Sequence, residues 1–270
     1  MEIVQFAQEI RTLAVKMVHR ARASHIGGSL SMADILAVLY CPDGMLKVSP
    51  QLPDDPGRDR FILSKGHACT SLYAALALRG FIPMEELETY GMDDTRLMSH
   101  ASHNVPGIEL STGSLGHGLP VGCGLALGAK RLNRNYRTVV LLSDGEMDEG
   151  SNWEAFLFAA HHRLDNLTAI IDANGIQSLG PVGDVMGLEP LGAKLAAFGW
   201  RVHEVDGHDS SVLRSALGLA MEGGSGKPAV VIARTLKGKG VSFMENQLAW
   251  HYKSPSDAEL NQALQELMGV

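Results

Sequence analysis

The first apolar positions of the chain, Ile3, Phe6, Ala7, Ile10, Leu13, Ala14 and Met17, recur at steps of three and four. That period places them on one stripe of a helix over residues 3–18, lying on the body of a domain. Short continuous apolar runs at Phe61–Leu63, Val139–Leu142, Leu167–Ile171 and Ala229–Ala233 read as strands, and Trp200–Val205 adds another. Helical stretches alternate with them: Ala33–Tyr40, His67 to near Gly80, Pro83–Tyr90, Ser151–Leu164, Leu191–Phe198, Ser210–Met221 and residues 256–268. Such alternation predicts an α/β fold, a parallel sheet flanked by helices. No linker or composition shift divides the chain, so residues 1–270 form one expected domain. The remaining stretches read as connections. Ser24–Leu30 is a glycine-rich turn, Cys41–Arg60 with four prolines is a surface loop, and residues 177–185 form a glycine-containing loop. Ser31 with Asp34 has the spacing of a capping box for the following helix.

Composition narrows the class without naming it. Apolar residues make up 45% and charged residues 20% of 270 residues, as in an ordinary globular protein with a substantial core. A net charge of −7 argues against nucleic acid or an anionic membrane as the main partner. No apolar run approaches the roughly 20 residues that span a bilayer, and the start, Met-Glu-Ile-Val-Gln, does not read as a secretory signal. Cys41, Cys69 and Cys123 are scattered, which disfavours disulfides and thiolate zinc and suits a reducing cytoplasm.

The chemistry concentrates where two strands end. Val139–Leu142 runs into Ser143-Asp144-Gly145-Glu146, and Leu167–Ile171 delivers Asp172-Ala173-Asn174-Gly175-Ile176. In a strand–helix–strand unit both turns lie at the carboxyl edge of neighbouring parallel strands, where open α/β sheets bind ligands. A carboxylate, an amide oxygen and backbone carbonyls around one point are hard oxygen ligands suited to Mg²⁺ and to a phosphate-bearing partner. Asp-Gly and Asn are also ordinary turn residues, so this unit alone leaves both readings open.

The Asp-Gly turn followed by the distant Asn resembles the signature of thiamine diphosphate enzymes, and the whole chain resembles the amino-terminal half of a transketolase. Four histidine elements carry the resemblance: Ser24-His25-Ile26-Gly27-Gly28, Asp59 to Ala68 around His67, Ser99-His100-Ala101, and Trp250-His251. Thr112-Gly113-Ser114-Leu115-Gly116-His117-Gly118 and the lysine-rich Arg234–Gly240 match further family elements. The resemblance implies that Asp144, Asn174 and the backbone oxygen of Ile176 hold Mg²⁺, for which Ca²⁺ or Mn²⁺ can substitute. It implies thiamine diphosphate bound by His67, Gly113, Ser114, Leu115, Asp144, Gly145, Glu146, Asn174 and His251. His25, His67, His100 and His251 are the implied catalytic histidines. Glu149 and Glu154 match acidic positions, and Glu149 is implied in contact between subunits. Ser143, Ser99, Ala101, His117 and Tyr252 depart from the usual pattern, and Tyr252 is expected to narrow the entrance to the site. His103 is expected to be exposed, His161 and His162 structural, Lys237 and Lys239 solvated, and the glycines 122, 124 and 128 to serve close helix packing.

The resemblance covers only the diphosphate-binding half. The initial Met and the final helix give the expectation of a whole subunit, so the pyrimidine-binding domain is expected on a partner chain. A heterotetramer of two chains of each kind is implied, acting on sugar or sugar-phosphate substrates. The implied reaction is transfer of a two-carbon ketol unit from a ketose to an aldose. Two alternatives stand beside it. One is another thiamine diphosphate enzyme: a transketolase-like enzyme for an unusual sugar, or one of the deoxyxylulose phosphate synthase or 2-oxoacid dehydrogenase α kind. The other is a cofactor-binding subunit without catalysis of its own.

Overall fold

A computed structural model describes residues 1–269; Val270, the last position of the expected domain, lies outside them. Five strands form one wholly parallel sheet in the order β1-β2-β3-β5-β4: β1 Arg60–Leu63, β2 Thr138–Ser143, β3 Leu167–Ala173, β4 Arg201–Asp206 and β5 Ala229–Arg234. β2, β3 and most of β5 are buried along their length, which is why they read as unbroken apolar runs rather than alternating ones. Alternate side chains still serve opposite faces. Val139, Leu141, Ile170 and Val231 enter one core, whereas Val140, Leu142, Ile171 and Ile232 enter the other.

Helix α1 (Ile3–Ala21) buries its predicted stripe against α3 (Ala33–Tyr40) and α4 (Cys69–Leu78) on the first face. On the second face α5 (Gly118–Arg131) packs on α6 (Gly150–His161), and Phe156 meets Trp200 with ring centroids 4.7 Å apart. One turn of helix, α7 (Val182–Val185), precedes α8 (Leu191–Ala197) and α9 (Ser210–Met221), which flank β4. The closing helix α10 (Asp257–Met268) carries a capping box from Ser256 and Glu259 and packs on α1.

Two local expectations are overturned. Ser24–Leu30, read as a turn, is mostly a buried helix, α2 (Ile26–Ser31). Nor do Ser31 and Asp34 cap α3, whose first turn receives no side-chain bond. Ser31 Oγ donates to Asp172 at 2.6 Å, and Asp34 pairs with Arg11 and His208. Long-range partners outcompete the local cap. Among the described residues no helix is long and apolar enough to cross a membrane.

Candidate active site

The register pairs Ser143 with Asp172, so the turns after β2 and β3 leave the sheet side by side. Asp144 is thereby held beside Asn174. Its carboxylate oxygens accept from Gly145 N at 2.8 Å and Gly175 N at 2.6 Å. Asn174 Oδ1 accepts from Ile176 N at 3.2 Å. These groups open into a cavity of about 210 Å³, also lined by Lys65, Lys237 and four histidines.

The histidines arrive from four separate segments. His25 precedes α2 in left-handed backbone, φ 70°, a conformation held from outside by its N–H donating to His251 O at 2.8 Å. Its ring then sits amid the others, with centroids 5.2 Å from His67, 5.9 Å from His100 and 5.0 Å from His251. Burial lowers the pKa of all four. Nearby charges add to this except at His100: His25 falls to about 4, His251 to about 3 and His67 well below its ordinary value. At neutral pH the cluster consists of neutral imidazoles, each able to donate one hydrogen bond and accept another.

Beneath the cavity lies a buried polar knot with no signal in the sequence. The Asp172 carboxylate, fully buried, pairs with Lys65 and accepts from Ser31, Thr235 and Asn174 Nδ2, the last at 3.3 Å. Lys65 Nζ also donates to Gly28 O at 2.9 Å. Because Asn174 gives its amide N–H to Asp172, its oxygen is left on the other side of the group.

Lys237 is a second missed residue, and its expected solvation is overturned. It is 3% exposed, and its Nζ donates to Ile176 O at 2.8 Å and lies 3.3 Å from His251 Nδ1. Burial, with Lys65 nearby, lowers its pKa to about 8. The loop carrying it is fixed by His208. Leu236 N donates to His208 Nε2 at 2.8 Å, so the ring N–H lies on Nδ1 and donates to Asp34 at 2.7 Å.

Not every expected contact faces the cavity. Glu146 is fully buried beneath the turn, accepting from Ser64 Oγ and from Gly116 N at 2.9 Å. Ser114 is exposed and does not line the cavity, whereas Gly113, Leu115 and Gly145 do. Ala101 is buried, its amide bonded to Gly66 and its carbonyl to Thr112, so this departure lies within the core. Tyr252 does not line the cavity either; it packs beside it, its hydroxyl donating to Ser178 O at 3.1 Å and its ring 4.8 Å from that of His251. His103 is exposed, Nδ1 against Ser111 Oγ at 2.7 Å.

The residues present fit a magnesium-bound diphosphate. Burial and then Asp172 raise Asp144 to about 6. A buried carboxylate in that state gains by meeting a divalent cation. Asp144, Asn174 and Ile176, which line the cavity together, offer one carboxylate and neutral oxygens, a hard donor set of the kind Mg²⁺ takes. Gly113 approaches the cavity without a side chain, and a Cβ there would come 2.9 Å from the His100 ring.

A profile described as transketolase, thiamine diphosphate binding domain, matches residues 3–270. The chain belongs to the transketolase family. An apulose-4-phosphate transketolase subunit of Actinobacillus succinogenes is 44% identical over 258 residues, 95% of this chain and 92% of that protein. The 6-deoxy-6-sulfo-D-fructose transketolase subunit SqwG of Clostridium sp. is 40% identical over 262 residues, 97% of this chain and 94% of that one. The solved transketolase of Leishmania mexicana superposes with a TM-score of 0.92 at 31% identity, covering 99% of this chain and 41% of that chain. This transketolase chain is thus the cofactor-binding subunit of a thiamine diphosphate-dependent transferase. It spans less than half of the solved enzyme, yet nearly all of the two relatives whose names mark them as single subunits.

Proposed function

We propose that the chain, joined to a second subunit carrying the pyrimidine-binding domain, transfers a two-carbon ketol unit from a ketose or ketose phosphate to an aldose or aldose phosphate. The reading is carried by one observation: four neutral imidazoles meet over a cavity floored by Asp144, Asn174 and the Ile176 carbonyl. Asp144, Asn174 Oδ1 and the Ile176 oxygen would hold Mg²⁺, the last through the lone pair that Lys237 does not use. When bound, thiamine diphosphate supplies the electron sink for cleaving and remaking a carbon–carbon bond. His67 and His251, which line the cavity, would donate to phosphate oxygens. His25 and His100, also neutral, can accept or return a proton at a sugar hydroxyl. Leu115 gives the cofactor an apolar buttress. The site would lie closed between two kinds of chain, two of each, in the cytoplasm.

The substrate reading follows the relatives. Three relatives at 40–44% identity bear the names of apulose-4-phosphate and 6-deoxy-6-sulfo-D-fructose transketolase subunits. Tyr252 against His251 and Ser99 beside His100 favour a donor of similarly unusual kind over the common pentose phosphates. The test is an affinity pull-down of the tagged chain from its native extract with Mg²⁺ and thiamine diphosphate. A recovered partner chain and ketol transfer in the eluate support the reading. A chain that binds cofactor, recovers no partner and shows no transfer rejects it in favour of a non-catalytic subunit.

A further inference from the structure

Asn174-Gly175 is the one Asn-Gly pair in the sequence. Asparagine before glycine is the pair most open to deamidation, because no side chain on the second residue screens the attacking backbone nitrogen. Other demands fix both members here. Gly175 has φ 81°, left-handed backbone that disfavours any other residue. Asn174 sets its amide between Asp172 and the cavity. The turn after β3 therefore carries a chemical liability within the site.

The reaction is intramolecular. The Gly175 nitrogen attacks Asn174 Cγ and forms a C–N bond, the Cγ–Nδ2 bond breaks, and the attacking nitrogen's proton leaves with ammonia. Water then opens the cyclic imide at either carbonyl, giving aspartate or isoaspartate. To begin, Gly175 N must be free of its acceptor and Cγ must swing toward it. The structure obstructs both movements. Gly175 N donates to Asp144 Oδ2 at 2.6 Å, so the neighbouring turn holds the attacking nitrogen. Asn174 is buried, its Nδ2 donating to Asp172 Oδ2 at 3.3 Å and its Oδ1 accepting from Ile176 N at 3.2 Å, so the side-chain amide is held at both atoms. Val182 N donates to Gly175 O at 2.9 Å and ties the turn from its far side.

We propose that Asn174 is a guarded deamidation site: Asp144 holds the Gly175 nitrogen, Asp172 holds the side chain, and conversion waits for these bonds to open. Conversion removes the donor to Asp172 and sets a third carboxylate beside Asp144 and Asp172. Isoaspartate also adds a carbon to the main chain ahead of Gly175 and displaces the side-chain oxygen. Loss of a magnesium ligand by this route rests on the cofactor reading above; the guard itself does not.

The test is peptide mass spectrometry of the full chain, incubated without ligand at neutral pH, with conversion at Asn174 followed over time. Wild type is compared with its own urea-unfolded form, and with Asp144→Ala and Asp144→Asn. Two hydrogen bonds to charged groups imply that native wild type converts at least about a hundredfold more slowly than the unfolded chain. Asp144→Ala frees the nitrogen and should convert about tenfold to hundredfold faster than native wild type. Asp144→Asn, which keeps an acceptor oxygen, should stay closer to wild type than to Asp144→Ala. Equal rates in native and unfolded wild type overturn the inference, whether or not the variants fold. A folded Asp144→Ala that converts no faster than wild type also overturns it, because the carboxylate then does not guard the nitrogen. Mass reads the amide and not the cofactor, so these outcomes are independent of thiamine diphosphate binding.

Discussion

Replacing Lys65 with Met tests the buried knot beneath the site. Lys65 and Asp172 are both fully buried, and their side chains pair with each other. The substitution keeps the aliphatic stem and deletes the charge, leaving Asp172 with three neutral donors: Ser31, Thr235 and Asn174. Removing one partner of a buried pair strands the other, a loss of about 3–5 kcal/mol. At about 2–4 °C per kcal/mol for chains near this size, the melting temperature should fall by about 6–20 °C. Urea unfolding without cofactor is the assay, with Asp172→Asn and the double variant completing a cycle. The double variant, which removes the stranded charge, should recover much of the loss. The pH dependence gives an independent sign. In the wild type Lys65 holds the Asp172 pKa below its ordinary value despite burial. Without Lys65, burial raises it above the unfolded value, so the added deficit of Lys65→Met grows as pH rises through that folded pKa and shrinks on acidification. A single-variant loss under about 1 kcal/mol, or a double variant whose losses simply add, would refute the argument.

Two further predictions concern the site. Because His25 and His251 are depressed to about 4 and 3, their ring protons in NMR should show no titration between neutral pH and about 5. Their depressed values add stability that is complete above the unfolded value near 6.5 and is lost as pH falls toward 4 and then 3; a ring titrating near 6.5 contradicts the buried cluster. His208→Ala removes the acceptor for Leu236 N and the link to Asp34. It should cost about 1–3 kcal/mol in urea unfolding and weaken pyrophosphate binding through Lys237, and unchanged binding would release Lys237 from dependence on that loop.

The sheet and most helices can be read from the chain because burial on both faces writes itself as unbroken apolar runs, and one-sided burial as the stripe of α1. The α2 segment cannot. Gly27 and Gly28 look like turn residues, but a Cβ at Gly27 would meet Lys237 Cγ at 3.1 Å, so close packing explains the glycine and tertiary contact makes the helix. Lys237 reads as solvated for the same reason: only the fold that lays its loop over α2 shows that it points inward. Lys65 and Asp172, 107 positions apart, share no local pattern. Glu146 stands in the recognised turn, yet it braces that turn through Ser64 and Gly116 instead of facing the cavity. A family motif marks where the chemistry sits; which member of the motif touches the ligand depends on side-chain direction, which sequence does not carry.

The cofactor site stands most directly on Asp144, whose buried carboxylate has Gly145 and Gly175 amides as its hydrogen-bond donors and is raised to about 6. The decisive measurement is calorimetric titration of the purified chain with thiamine diphosphate, in Mg²⁺ and in EDTA, for wild type and Asp144→Ala. Binding by the wild type should require Mg²⁺ and should be abolished in Asp144→Ala. Equal affinity in the variant, or wild-type binding indifferent to EDTA, would contradict the assignment.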